Sequence, residues 1–338
     1  MKAIEICAPG SLQIVDRDIP TPSADEVLIH VKAAGICGSD THIYHGKNAF
    51  ATYPRVVGHE FVGEIAGLGQ NISDLKIGTP VTVDPVIACN DCHACHIGRP
   101  NVCKSLRVLG VHIDGGFQEY IAVNRTNVYV LPQGIPWEIA ALIEPYTIAA
   151  QVKERGHIRI DDTVLICGAG PIGLIILQMA KMIGAKTAIM DIVDSRLERA
   201  TELGADLTIN SKKQNIVDEM NRFTNNEGAS LIYEATGNVT VLETCITKIA
   251  ASAGRIVVLG FSQEEVKIPQ IAIMSRELEI IGTRLNNKKF PEVISWFEEK
   301  RIRPEKILSH TFPFQKAKDA FALMEEAPDS VYKIVLTF

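Results

Sequence analysis

No apolar run in this chain is long enough to cross a bilayer. Its most apolar segment, residues 172–183, is interrupted by Gln178 and Lys181 and falls short of the ~20 residues a spanning helix takes, which excludes a membrane protein. A secretory leader is missing too. The chain opens Met-Lys-Ala-Ile-Glu-Ile-Cys-Ala-Pro-Gly, with neither an uninterrupted apolar stretch nor a cleavage site, and this places the protein in the cytoplasm. Positive charge is not in excess: 34 Lys and Arg face 40 Asp and Glu, for a net charge of -6 and a pI near 5.9. The basic pairs Lys212-Lys213 and Lys288-Lys289 are short, so neither nucleic acid nor an anionic membrane surface finds a partner here. Fixed-period repeats and low-complexity tracts are absent, which excludes a solenoid or an extended linker. What remains, with 338 residues of which 46% are hydrophobic and 22% charged, is a globular chain with room for two domains.

Cysteine is concentrated rather than scarce. Four of the eight cysteines, Cys89, Cys92, Cys95 and Cys103, fall within residues 89–103 in the pattern Cys-x2-Cys-x2-Cys-x7-Cys. Four sulfurs from one short lobe are what a tetrahedral Zn²⁺ with ~2.3 Å bonds requires. Disulfides are the alternative, but pairs spaced this closely are usually redox-active rather than structural, and the other four cysteines are scattered. A site filled by four thiolates has no open position for substrate, so this metal holds a loop together and the chemistry lies elsewhere.

Up to about residue 150 the text reads as short strands between Gly, Pro and Asp turns, at 26–33, 61–68, 80–86 and 117–123. From residue 163 it changes to strand, glycine turn, apolar helix and strand, with strands expected at 163–167, 187–190, 231–234, 255–259 and 278–281. That succession is the mark of βαβ units and a parallel, doubly wound sheet. A helix at 290–300 and a strand at 333–338 follow. The expected domains are 1–150, containing the lobe 89–103; 151–287; and a segment 288–338 that returns to the first.

Gly168-Ala-Gly170-Pro171-Ile172-Gly173 stands between an apolar strand and a helix beginning at Pro171, the setting of a dinucleotide fingerprint. The first glycine permits the tight turn, the second lets backbone approach a pyrophosphate, and the third packs helix on strand, while the helix N-terminus favours phosphate charge. Proline suits the first helical turn. Asp191, 23 residues after Gly168, is placed to bind ribose hydroxyls and to repel a 2′-phosphate, favouring NAD over NADP. Arg196 is the nearest arginine that follows it.

Two further segments, Cys37-Gly-Ser39-Asp40-Thr-His42 and Gly58-His59-Glu60, sit at glycine-marked turns, though spacing alone does not bring positions 37 and 59 together. Taken in order with the four-cysteine lobe and the glycine turn, they make the whole chain similar to the zinc-dependent medium-chain dehydrogenases. Ala141-Leu-Ile-Glu144-Pro resembles the ligand segment of the polyol, threonine and sugar-acid branch. Residues 53–60, 110–116 and 283–286 resemble the bacterial starvation-sensing-type and L-galactonate-type dehydrogenases within it.

The resemblance implies an α/β two-domain enzyme, a β-rich GroES-like catalytic domain plus a Rossmann domain, with two Zn²⁺ per chain, NAD, and a homo-oligomeric state of dimer or tetramer. It implies Cys37, His59 and Glu144 as ligands of a catalytic zinc with water in the fourth position, and Glu60 as a part-time ligand. Asp40 would orient His59; Ser39 and His42 would relay the proton of the alcohol. Zinc would acidify a secondary hydroxyl of a small-molecule substrate while NAD accepts hydride. Arg284, at a position where relatives line the pocket, would clamp a carboxylate, with His112 and Asn286 as further pocket candidates; a hexonate such as L-gulonate, L-idonate or L-galactonate would become a keto acid. Neutral-polyol or L-threonine oxidation is the alternative. A non-catalytic zinc- and NAD-binding regulator is a third, against which intact Cys37, Ser39, His42, His59 and Glu144 argue.

Overall fold

Alternating burial along Glu26–Ile36, with Val27, Ile29, Val31 and Ala33 turned inward, makes this strand the centre of a β-rich unit. The computed structural model describes every residue from Met1 to Phe338 and gives this unit residues 1–147, 286–300 and 304–338. Its main sheet runs Val128–Val130, Pro80–Val83, Glu60–Leu68, Glu26–Ile36, Lys333–Thr337, Leu308–Pro313, with Tyr120–Asn124 also paired to Glu26–Ile36. Glu60 lies opposite Gly35 on one side of the central strand, and Ile334 lies opposite Ile36 on the other. The end of the central strand therefore collects residues from distant parts of the chain.

Three expected strands differ from the sequence reading by three residues at an end, and Lys2–Ala8, Ser11–Asp16 and Leu308–Pro313 escape it. The one expected over 26–33 runs on to Ile36. The one expected over 80–86 stops at Val83, because Pro85 has no N–H to give a ladder and the Asp84 carboxylate accepts the N–H of Val86 at 3.0 Å. The one expected over 117–123 begins at Tyr120; the N–H of Phe117 instead donates to the carbonyl of Val57 at 3.0 Å.

The second unit comprises residues 148–285 and 301–303. These divisions differ by a few residues from the boundaries at 150 and 287, since the helix Ile143–Gly156 runs through the first of them. Six parallel strands are ordered Leu207–Asn210, Lys186–Asp191, Thr163–Cys167, Ala229–Glu234, Ala250–Val258, Glu279–Gly282. The chain reverses its direction of travel between Thr163–Cys167 and Ala229–Glu234, the switch point at which doubly wound sheets bind ligands. Leu165, Ile232 and Ile256 lie in its core. The helix Pro171–Ile183 buries every residue from Gly173 to Ala180, as a helix apolar on all faces must. Leu207–Asn210 escapes the sequence reading although Leu-Thr-Ile-Asn alternates apolar and polar, because four residues are the shortest run in which alternation carries a signal. No helix is long and apolar enough to cross a membrane.

Candidate active site

Cys37 leaves the central strand and caps the helix Gly38–Tyr44, with its N–H donated to Asp40 Oδ2 at 2.8 Å. His59 immediately precedes the neighbouring strand Glu60–Leu68. Strand pairing thereby joins two segments that sequence spacing left apart: ligand atoms of Cys37, His59 and Glu60 all lie within 4.8 Å of one another. Glu144, in the first turn of Ile143–Gly156, is outside that mutual triad but is buried at 4% exposure. Burial raises its pKa to about 8, against the lowering effect of the His59 charge.

Asp40 is fully buried. Its Oδ1 stands 3.6 Å from His59 Nδ1 and accepts the N–H of Gly58 at 3.3 Å. Burial raises the Asp40 carboxyl above its ordinary value, with His59 opposing. Burial alone would depress the His59 imidazole; the charges of Asp40 and Cys37 outweigh it and raise the group well above its usual range. A thiol, an imidazole and two carboxylates, all in a shielded place, form a donor set that fits Zn²⁺. In addition to His59, the chain places a lysine there. Lys333, 4% exposed, reaches both oxygens of Glu60 at 2.6 and 2.8 Å. Burial would lower its pKa, but Glu60 and Cys37 hold it above the ordinary lysine value. The sequence reading missed Lys333; the available signal was a lysine opening an apolar strand.

The cysteine lobe presents a second donor set. Sγ separations are 3.4 Å for Cys89 and Cys103, 3.6 Å for Cys92 and Cys95, and 3.9 Å for Cys92 and Cys103. A tetrahedron with ~2.3 Å zinc–sulfur bonds has edges of about 3.8 Å, so the four sulfurs stand at metal spacing with no disulfide among them. Amide hydrogens reinforce thiolate character. Lys104 N–H donates to Cys92 Sγ at 3.4 Å, and the N–H groups of Cys89 and Ser105 donate to Cys103 Sγ at 3.2 and 3.3 Å. The Lys104 amide is the largest cause that brings the Cys92 thiol down to about 6.

At the switch point of the parallel sheet, Gly168 adopts φ +99, closed to most L side chains. A Cβ on Gly173 would lie 1.8 Å from the Gly168 carbonyl oxygen, whereas a Cβ on Gly170 would meet nothing within 4 Å. The third glycine thus lets helix meet strand, and the second faces an open cradle at the N-terminus of Pro171–Ile183, with Pro171 in its first turn and Ile172 partly exposed. The cradle fits a dinucleotide pyrophosphate. Asp191 is fixed beside it: Oδ2 accepts the Ala169 N–H at 2.7 Å, and Oδ1 accepts those of Ile192 and Val193 at 2.7 and 3.0 Å. Arg196 Nη1 is 3.9 Å from Asp191 Oδ2.

Comparison with known proteins bears on these two metal clusters and one glycine cradle. Residues 23–133 match the Alcohol dehydrogenase GroES-like domain family, and residues 171–299 match the Zinc-binding dehydrogenase family. The starvation-sensing protein RspB of Escherichia coli K12 is 46% identical over 100% of this chain and 99% of its own length. The chain belongs to the zinc-dependent medium-chain dehydrogenases. L-galactonate-5-dehydrogenase of the same organism is 36% identical, with 98% of this chain and 97% of that protein covered. A crystal structure described as short chain alcohol dehydrogenase (rspB) from E. coli CFT073, complexed with cofactor NADH, gives a TM-score of 0.95 at 44% identity. It covers 100% of this chain and 99% of that one. As a member of the family, the protein is an oxidoreductase of CH–OH donors that uses zinc and a nicotinamide dinucleotide.

The dehydrogenase distributes its remaining candidate residues unevenly. Ser39 and His42 share the helix that Cys37 caps; Ser39 Oγ is buried without a hydrogen-bond partner, and His42 is exposed. His112 Nδ1 accepts the N–H of Val108 at 3.1 Å, and its ring centroid is 5.7 Å from that of Phe50. Asn286 is only 1% exposed. Its amide donates to Asp84 at 3.3 Å and accepts from the N–H of Lys289 at 3.4 Å, so the side chain is engaged with the protein rather than open to a substrate. Burial raises that Asp84 carboxyl to about 6. Arg284 follows the strand Glu279–Gly282 in the parallel unit and is exposed.

Proposed function

We propose that this dehydrogenase oxidises a secondary hydroxyl of a sugar acid, a hexonate such as L-gulonate, L-idonate or L-galactonate, to a keto acid with NAD. The observation that carries the reading is the shielded set Cys37, His59 and Glu60 with Glu144 buried nearby. Three protein ligands and one open position distinguish a catalytic zinc from the closed cysteine lobe, and Cys37, His59 and Glu144 are assigned that role. Zinc held there would acidify a hydroxyl presented at the open position, and a nicotinamide dinucleotide would supply the hydride acceptor. Asp40, with Oδ1 at 3.6 Å from His59 Nδ1, would orient the ring by its charge. Ser39 Oγ, buried and without a partner, is suited to take the substrate proton, and His42, exposed on the same helix, to hand it to solvent.

Support for an acidic substrate comes from the residue type at position 284, an arginine at an exposed position whose guanidinium would match a carboxylate in two-pronged fashion, and from the likeness to L-galactonate-5-dehydrogenase. The test is NAD reduction against a panel of hexonates, neutral polyols and L-threonine. Hexonates are expected to give the highest kcat/KM, and Arg284→Ala to raise their KM roughly tenfold or more, the worth of a charged hydrogen bond of about 1.5–3 kcal/mol. Preference for sorbitol or threonine, or an unmoved KM, would overturn the substrate assignment.

Asp191 carries the choice of cofactor. Its charge is pinned by three amides where an adenosine 2′-phosphate would bring more negative charge, and like charges so placed cost several kcal/mol. Asp191→Ser, with Arg196 left beside it, is expected to raise the ratio of NADP to NAD kcat/KM by about a hundredfold. Parallel measurement of both cofactors checks this, and an unchanged ratio would remove Asp191 from cofactor selection.

A further inference from the structure

The dehydrogenase holds Glu60 by an arrangement that crosses three strands. Glu60 stands on Glu60–Leu68, Gly35 lies opposite it on Glu26–Ile36, and Lys333 opens the strand that pairs with the far side of Glu26–Ile36. Two interstrand spacings amount to about 9.6 Å, a gap closed over Gly35 by the lysine stem from one side, the glutamate stem from the other and the hydrogen bond between them. Any Cβ at Gly35 would collide with Glu60 Oε2, so the glycine gives the carboxylate its place. Lys333 Nζ then binds Glu60 Oε1 at 2.6 Å, Oε2 at 2.8 Å and the Ile36 carbonyl at 3.3 Å. Both carboxylate oxygens are engaged, although Glu60 lies within ligand distance of Cys37 and His59.

We propose that Lys333 is a positioning residue that withholds Glu60 from the catalytic metal of the resting enzyme and so keeps one coordination position open. This rests on the metal reading given above. Without the ammonium group, a buried carboxylate beside a cation has one favourable partner, the metal itself. Glu60 then becomes a fourth protein ligand, and the site acquires the closed character of a structural centre.

The test uses full-length protein with zinc replaced by cobalt, whose d–d absorption reports coordination; the unaltered cysteine lobe cancels in difference spectra between variants. Lys333→Met is expected to change the cobalt spectrum, to slow metal removal by a chelator roughly tenfold, and to lower kcat by about 10- to 100-fold, the range for residues that support metal ligands. Lys333→Arg should restore the wild-type spectrum, and in a Glu60→Gln background Lys333→Met should no longer slow metal loss. An unchanged spectrum in Lys333→Met overturns the proposal. So does faster metal loss together with a lower melting temperature, the behaviour of a mere structural brace. If Lys333→Met does not fold, Glu60→Gln alone decides: superimposable spectra support withholding, and a shifted band shows that Glu60 is already a ligand. Wild-type protein that retains metal only in the cysteine lobe would instead overturn the metal reading itself.

Discussion

Replacement of Cys37 by serine is expected to leave the protein with about one zinc per chain instead of two and to abolish alcohol oxidation. A hydroxyl at position 37 is a far poorer ligand than a thiolate, and His59, Glu60 and Glu144 would remain as a buried group of titratable side chains with no metal to join them. The metal contributes several kcal/mol of charge stabilisation to such reactions. At ~1.36 kcal/mol per factor of ten, turnover falls by about a thousandfold or more. NAD affinity is expected to persist, because the glycine cradle and Asp191 belong to the parallel unit. Metal analysis, fluorescence titration with NADH and steady-state kinetics on one preparation separate these effects. Retention of two zincs, or of substantial turnover, would disprove the assignment of Cys37.

Replacement of Cys103 by serine is expected to have the opposite distribution of consequences. Of the fifteen positions 89–103, only Asn101 and Cys103 are buried, so the lobe has no apolar core and its order depends on the metal. Structural zinc in small peptides contributes about 10–16 kcal/mol of apparent binding energy at neutral pH, all of it coupled to folding. Loss of one thiolate should free the lobe's zinc and open residues 89–103 to protease, while the zinc at Cys37 stays. Mass spectrometry of the cleavage products, with metal content measured alongside, would show this. A lobe that stays protease-resistant without its zinc would show that its packing suffices.

The metals and the cofactor were legible in sequence for different reasons. The cysteine lobe is a local arrangement: its four sulfurs come from fifteen consecutive positions, so spacing states the coordination geometry almost directly. The glycine turn is also local, and its strand and helix follow from apolar runs on either side. The catalytic cluster is not. Cys37 and His59 meet through pairing of Glu26–Ile36 with Glu60–Leu68, and nothing in the spacing of residues fixes which strands pair. Only resemblance to a family joined them on sequence. Asn286 illustrates the same limit, since a polar residue near a presumed pocket proved to be buried against Asp84.

Sequence by itself determined the class of protein, the closed four-sulfur site, the dinucleotide turn and the approximate division into a β-rich part and a parallel sheet. These depend on contacts between near neighbours in the chain, where residue type and spacing limit the geometry. Tertiary structure decided which carboxylates lie beside Cys37 and His59, that Asp191 is held by three amides, and that Lys333, 273 positions after Glu60, is bonded to it. Such long-range contacts arise from strand order and register, which the whole core selects by burying its apolar faces together. A lysine at the start of a terminal strand carries no mark of the glutamate it will meet until the strand between them is in place.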